Sequence, residues 1–512
     1  MTTRLSIPAR ALRLARRLAL AALVLLAGFV ALRAWESGRG PALRAWHTVV
    51  PPELGVQALD AADWTRFLAA EDAAFETVRR EVSARLAPED RSPANRYDPS
   101  SPLHPARFAT DWNRSFVLVP QEPPRGVAVL LHGMTDAPFS MRHLAALYAG
   151  MGFVAVVPRM PGHGTVPAGL AEAAWEEWLA ATRLAVREAR ARVPSGPLHL
   201  VGYSNGGALA LRHVLDAIED PRLAQADRIV LVSPMIGVTA FARFAGLAGL
   251  PALLPHFAGA AWLSVMPEFI PFKYNSFPVQ AARQSHLLTA AVQAQTRRLA
   301  QAGRLDRLPP VITFQSVVDA TVSTQALVTA LYAQLPANGS ELVLFDLNRN
   351  AKAGPLVSAG VDAAVERLLP SPPQRFRTTI VTNAAPDSAE VEERSTPAGA
   401  TAATARPLGL AWPREIFSLS HLALAVPVED GLYGLAPDPA EDFGVRLGAL
   451  APRGERGVLV ADLDSLLRVT SNPFYPYLRD RVAEAIRASA APFGTERASA
   501  GRDAGHAPGA GR

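Results

Sequence analysis

Val201–Leu211 reads VGYSNGGALAL, and the fold assignment turns on this stretch. It frames Ser204 as Gly202-Tyr203-Ser204-Asn205-Gly206, after the short apolar run PLHL and before an alanine- and leucine-rich segment. G-x-S-x-G patterns arise by chance in long proteins, so the surroundings must carry the reading. Around it the chain alternates. SFVLVP (115–120), GVAVLLHG (126–133), FVAVVPRM (153–160), PLHLVGYS (197–204), DRIVLVSPM (227–235) and PPVITFQSVVDA (309–320) read as strands. SMRHLAALYAGMG, WEEWLAATRLAVREARARV and ALALRHVLDAI read as helices between them. Short, almost wholly apolar strands alternating with amphipathic helices predict an α/β fold: a mostly parallel sheet with helices on both faces.

Ser204 then falls at the C-terminal end of a strand, immediately before a helix, where open α/β sheets gather their chemistry. Gly202 and Gly206 permit the tight turn that lifts the hydroxyl clear of the sheet. That makes Ser204 a candidate nucleophile, and the Asn205 N–H, at the helix start, a candidate donor to an oxyanion.

Composition narrows the function classes. The 512 residues are 49% hydrophobic and 19% charged, as suits a packed globular protein. The absence of cysteine excludes disulfides, thiolate metal sites and cysteine nucleophiles. The net charge is +5, but residues 1–34 hold six arginines and no acid, so the remainder is near −1. The positive charge belongs to an N-terminal targeting segment rather than a phosphate-binding face, and no nucleic-acid partner is expected. The histidines and aspartates lack metal-ligand spacing and the glycines around Ser204 do not form a phosphate loop, so no metal or cofactor is expected.

Leu18–Leu32, LALAALVLLAGFVAL, is apolar throughout and follows the arginine cluster. Its 15 residues fall short of the roughly 17–25 of a full span, but snorkelling by Arg17 and Arg33, with Trp35 at the interface, extends it. The competing reading is a signal peptide. Cleavage after Ala31 or Ala34 would put Phe29 or Leu32 at the −3 position, so an uncleaved anchor is favoured. The arginine excess before it predicts a cytoplasmic N-terminus and a body on the non-cytoplasmic side. Cleavage would instead release a secreted or periplasmic protein. Asp63–Leu86 reads as an amphipathic helix packed on the main body.

Three motifs bring a family into view. LLHGMTDAPFSM (130–141), RMPGHG (159–164) and GYSNGG (202–207) resemble, in this order, the oxyanion strand and loop, the segment after the next strand and the nucleophile elbow of α/β-hydrolases. The resemblance is to the monoacylglycerol lipase, lysophospholipase and serine-aminopeptidase-like group. It implies a catalytic order of serine, acid, histidine. Beyond the acid candidates only His421 and His506 remain, and His506 sits in a Gly/Ala/Arg tail, so the resemblance points to His421. For the acid it implies Asp319, with Asp346 as the alternative. Ser316 stands where the family usually carries glycine. His132 and Gly133 lead into Met134, whose N–H is the implied second oxyanion donor, while His132 and His163 read as loop-shaping residues.

About 100 residues separate Asp319 from His421, more than such folds usually show. RFRTTIVTN (375–383) reads as an additional strand, and AAPDSAEVEERSTPAGATAATARP (384–407) as a low-complexity mobile loop. Ile236–Phe272 holds only Arg243 and Glu268 as charged residues. A second span at Phe244–Met266 would place flanking strands of one sheet on opposite sides of a membrane, so an apolar cap is the better reading. Asn472-Pro473-Phe474 reads as packing or as support for the histidine loop.

The expected organisation is a basic stretch and anchor (1–35), a helical extension and linker (36–109) and an α/β-hydrolase domain (110–490). Within that domain lie a cap (236–305) and an insertion (351–410), and a disordered tail (491–512) follows. An apolar cap over a serine triad on a tethered enzyme predicts acyl-ester or lipid substrates, with monoacylglycerols and lysophospholipids foremost. A short-chain carboxylesterase, an acyltransferase using the same triad, an amide hydrolase and a silent scaffold are the alternatives. Oligomeric state is left open.

Overall fold

The computed structural model describes residues 9–238, 245–353, 364–450 and 468–490. An apolar stretch free of charge and proline satisfies its backbone most simply as a helix, and Leu18–Leu32 lies inside α1 (Ala9–Ser37). It is the one helix among the described residues long and apolar enough to cross a membrane, with mean hydropathy 2.2. By length and composition it fits an anchor or a signal sequence.

The expected amphipathic helix is α2 (Trp64–Glu81). Asp63 caps it, accepting from the Arg66 N–H at 2.8 Å, and Trp64, Phe67, Ala74 and Val78 form its buried face. Glu71 is buried on the same helix because it has partners on the body: it accepts from Ser115 Oγ at 2.6 Å and from Arg159 Nε at 3.1 Å. Arg159 also pairs with Glu53 at 2.7 Å. The N-terminal extension is thereby fastened to the segment that carries RMPGHG.

The body alternates as expected. In chain order it comprises β1 (Phe116–Leu118), β2 (Gly126–Leu131), α3 (Arg142–Gly150), β3 (Phe153–Val157), α4 (Trp175–Arg192), β4 (Leu198–Tyr203), α5 (Asn205–Glu219) and β5 (Arg228–Val232). A long insertion follows, holding the short antiparallel pair β6 (Trp262–Ser264) and β7 (Phe277–Pro278) and ending in α6 (Val279–Gln301). The main sheet resumes with β8 (Val311–Ser316), β9 (Glu341–Phe345), β10 (Arg377–Asn383), β11 (Glu390–Thr396) and β12 (Thr404–Ala411), and α7 (Tyr475–Ala490) closes the described chain.

The ten strands are ordered β1-β3-β2-β4-β5-β8-β9-β10-β11-β12. Pairing is parallel from β3 through β10 and antiparallel at β1 and at β11–β12. One face buries Phe67, Trp178, Leu209 and Leu288 from α2, α4, α5 and α6; the other buries Leu144, Tyr148, Leu478 and Val482 from α3 and α7. A sheet covered on both faces shields both sides of its strands from water, so β2, β3, β4, β8 and β9 are mostly apolar and buried along their whole length. This is the α/β-hydrolase fold with a mostly parallel sheet.

One expectation is overturned. Residues 384–407 are not a mobile loop: they contain β11 and the start of β12, and with β10 they lengthen the sheet. The composition is polar, but the inward positions of β11 alternate as Val391, Glu393 and Ser395. The polar ones are paired: Ser395 Oγ lies 3.0 Å from Thr379 Oγ1, and Glu393 accepts from Tyr477 Oη at 2.8 Å and from Arg406 Nε at 2.9 Å. Pro407 is accommodated because β12 is the edge strand, where a missing N–H costs no ladder bond. The expected tail at 491–512, His506 with it, and residues 239–244 of the insertion lie outside the described residues.

Candidate active site

The turn at Ser204 is built by close packing as much as by the serine. A Cβ at Gly206 would overlap the carbonyl oxygen of Leu131, and one at Gly202 that of Gly206. Both neighbours are backbone and cannot move aside. Between them Ser204 holds φ 53° and ψ −115°, a conformation costing an L-residue about 1–3 kcal/mol. The turn is held by the Ser204 N–H to Val232 O at 3.0 Å and by Ser204 O, which accepts from Gly207 and Met235 N–H at 3.0 and 2.9 Å. The residue is thus raised at the end of β4, and α5 begins at Asn205.

His421 Nε2 lies 2.9 Å from Ser204 Oγ, and His421 Nδ1 lies 2.8 Å from Asp319 Oδ2. The structure thus brings together three residues far apart in sequence. Asp319 follows β8 and is tightly held. Its Oδ1 accepts from the Thr321 and Val322 N–H groups at 2.8 and 3.0 Å, and its Oδ2 also accepts from Gln315 Nε2 at 3.0 Å. Burial alone would raise its pKa. The hydrogen bond and charge of His421, with the Val322 and Thr321 amides, outweigh that and keep the carboxyl below its ordinary value.

Asp346, the alternative acid, is engaged elsewhere: it accepts from Arg349 Nη2 and Thr382 Oγ1, both at 2.9 Å. Ser316, the departure from the family pattern, donates from Oγ to Leu419 O at 2.9 Å and so ties the end of β8 to the loop two residues before His421. Asn472 supports the same loop, donating its N–H to Val426 O at 2.8 Å and Nδ2 to Leu424 O at 3.4 Å.

The amides of Met134 and Asn205 have no hydrogen-bond acceptor among the described residues. Met134 and Gly133 border the same cavity as Ser204. His132 is a shaping residue: Nε2 accepts from the Met160 N–H at 3.0 Å, so Nδ1 carries the proton toward Gly133 O at 2.9 Å. Burial pushes its pKa down to about 4. His163 is equally buried, with its Nδ1 3.1 Å from Pro161 O.

Ser204 and His421 open into a cavity of about 910 Å³ whose surface is mostly apolar. Lys273 also borders it, and no carboxylate lies within ion-pair distance of its ammonium among the described residues. Burial lowers the Lys273 pKa, against the pull of Asp136. Sequence reasoning missed Lys273, Gln315 and the cavity-lining Leu26, Phe29 and Arg33. Lys273 carries one visible signal: it is one of only two lysines in the chain and sits beside an insertion almost free of charge.

The chain is 35% identical over 88 residues to the thermostable monoacylglycerol lipase of Bacillus sp. (strain H-257), which is 17% of this chain and 34% of that enzyme. It therefore spans about a third of the length of that curated relative. Among solved structures, a metagenome-derived lipolytic enzyme is 20% identical with a TM-score of 0.36, covering 51% of this chain and 99% of its own. The monoacylglycerol lipase of Paleococcus ferrophilus is 18% identical with a TM-score of 0.34, covering 50% and 98%. Residues 122–347, from before β2 to just after β9, match the family described as serine aminopeptidase, S33.

Proposed function

We propose that this protein is a serine hydrolase of carboxylic esters that acts on lipid-like acyl esters through Ser204, His421 and Asp319. The observation that carries the reading is the continuous relay of 2.9 and 2.8 Å contacts from a strained serine to a buried carboxylate, opening on an apolar cavity. Ser204 Oγ attacks the acyl carbonyl while His421 Nε2 takes its proton. Asp319 holds the Nδ1–H and stabilises the imidazolium. The Met134 and Asn205 amides receive the developing oxyanion, each donor worth about 10²–10³ in rate. His421 then protonates the leaving alcohol, and water, activated by the same histidine, releases the acid from the acyl-enzyme.

The apolar insertion acts as a cap over this cavity, and the cavity's size suits a hydrocarbon chain. Lys273 favours an anionic head group, and hence a lysophospholipid over a neutral monoacylglycerol. An acyltransferase would use the same three residues with an alcohol acceptor, and added glycerol or lysolipid would divert its product. The test is hydrolysis of chain-length series of monoacylglycerols, lysophospholipids and simple esters by the full chain in detergent, with Ser204→Ala as control. Turnover should rise with chain length and vanish in the control. Lys273→Met should lower kcat/KM for the lysophospholipid about tenfold more than for the monoacylglycerol. Turnover of short esters alone would reduce the protein to a general esterase, and serine-independent turnover would refute the mechanism.

A further inference from the structure

The apolar helix α1 does more than precede the fold: its last turns pack on the insertion that follows β5. Arg33 donates from Nη2 to Trp262 O at 3.0 Å and to Ala260 O at 3.5 Å, and from Nε to Ala248 O at 3.4 Å. Its Nη1 pairs with Glu36 of the same helix at 3.0 Å, so Nε and Nη2 are the groups that hold the contact with the insertion. The approach is close elsewhere too, since a Cβ at Gly259 would lie 3.1 Å from Ser37 O. A segment that served only as a tether would need none of these bonds.

Helical periodicity then sets what faces the site. Leu26, Phe29 and Arg33 fall three and four residues apart, on one side of α1, and all three border the cavity that holds Ser204 and His421. Leu26 and Phe29 lie within the apolar stretch, while Arg33 and the exposed Trp35 mark where it ends. The insertion exposes Leu253 (81%), Leu254 (60%) and Leu263 (45%), of which Leu263 lines the cavity as well. The cavity wall is therefore continuous with an exposed apolar surface suited to a bilayer.

We propose that the acyl-chain subsite is completed by the protein's own membrane helix, with Leu26 and Phe29 as its wall, and that a lipid acyl chain enters it laterally from the bilayer. Arg33 is the positioning residue that fixes the helix against the insertion. The route lets the chain reach Ser204 without passing through bulk water. This inference rests on the ester-hydrolase reading above.

The test uses the full chain in phosphatidylcholine vesicles and a hexadecyl fluorophosphonate with a diazirine at the chain terminus. Ser204 Oγ bonds to phosphorus as fluoride leaves, which fixes the head of the probe; irradiation then reports where its tail lies. Trypsin cuts after Arg17 and Arg33, so a tail beside Leu26 or Phe29 appears as a modified Leu18–Arg33 peptide. That peptide should carry the cross-link, and Phe29→Trp should shift the long-to-short ratio of kcat/KM about tenfold toward short esters. Labelled Ser204 with cross-links wholly outside 18–33 overturns the subsite alone, as does a mature chain that begins after Arg33. No labelling of Ser204 overturns the hydrolase reading and this inference with it.

Discussion

Replacing Asp319 by asparagine tests the relay at the point where the structure constrains the outcome most. Oδ1 of Asp319 accepts two backbone N–H groups, from Thr321 and Val322. An asparagine keeps its oxygen there, because turning its NH₂ toward two N–H donors would set donor against donor and leave both amides without their acceptor. Its NH₂ therefore faces His421 Nδ1 and Gln315 Nε2, where the wild-type oxygen accepts from both. Nδ1 can answer only by giving up its proton, which moves the proton to Nε2, the atom facing Ser204. The histidine then donates where it must accept. A tautomer inverted in this way costs about 10⁴ in kcat, or about 5 kcal/mol of transition-state stabilisation, while KM changes little because the cavity is untouched. The assay is steady-state hydrolysis of a soluble acyl ester, beside a thermal melt that shows both variants folded. Asp346→Asn is the comparison: it weakens bonds to Arg349 and Thr382 and lowers the melting temperature with kcat retained. A folded Asp319→Asn within tenfold of wild type, or a folded Asp346→Asn without activity, refutes the reasoning.

Two further outcomes follow from the packing. Gly206→Ala drives a methyl into the Leu131 carbonyl and should cost about 3 kcal/mol or more, read as a lower melting temperature together with lost turnover; a stable, active alanine variant would show the turn to be looser than described. Burial lowers the pKa of His132 and His213 to about 4 and of His199 to about 3. The unfolded chain binds these protons from about pH 6.5 downward and the folded one does not, so stability is intact above 6.5 and drains away as the pH falls toward 4. Between pH 7 and 5 the loss is about 2 kcal/mol per histidine, so urea midpoints at these two pH values should differ strongly; equal midpoints would mean that the histidines protonate without unfolding.

How much of this was legible depended on which interactions announce themselves in sequence. The parallel strands β2, β3, β4, β5 and β8 were, because a sheet covered on both faces leaves a mostly apolar run at each crossing. Ser204 was, because only glycine fits on either side of it and the pattern of two glycines survives in one dimension. The hairpin of β11 and β12 was not: its inward positions include Glu393 and Ser395, and their partners Tyr477 and Thr379 sit on other elements. Polar residues buried in pairs look in sequence like polar residues in water. The alternation at Val391, Glu393 and Ser395 was present, but composition masked it.

The same distinction accounts for the site. Asp319 and His421 are 102 residues apart because β10, β11 and β12 are spliced between them, yet the return to the site is secured by bonds that no local pattern encodes. Asn348, just after β9, takes the Phe417 carbonyl at 2.9 Å and donates Nδ2 to Ile416 O at 2.8 Å, and Ser316 holds Leu419. Two polar side chains and one backbone amide at the C-terminal edge of the sheet thus fix where the histidine loop begins, whatever length of chain precedes it. Strands added at the far edge of the sheet, beyond β9, leave β4 and β8 in register and cannot move Ser204 relative to Asp319. The hairpin therefore lengthens the sheet without disturbing the relay, and Ser316, an anomaly when read against the family pattern, is one of the residues that makes so long a detour tolerable.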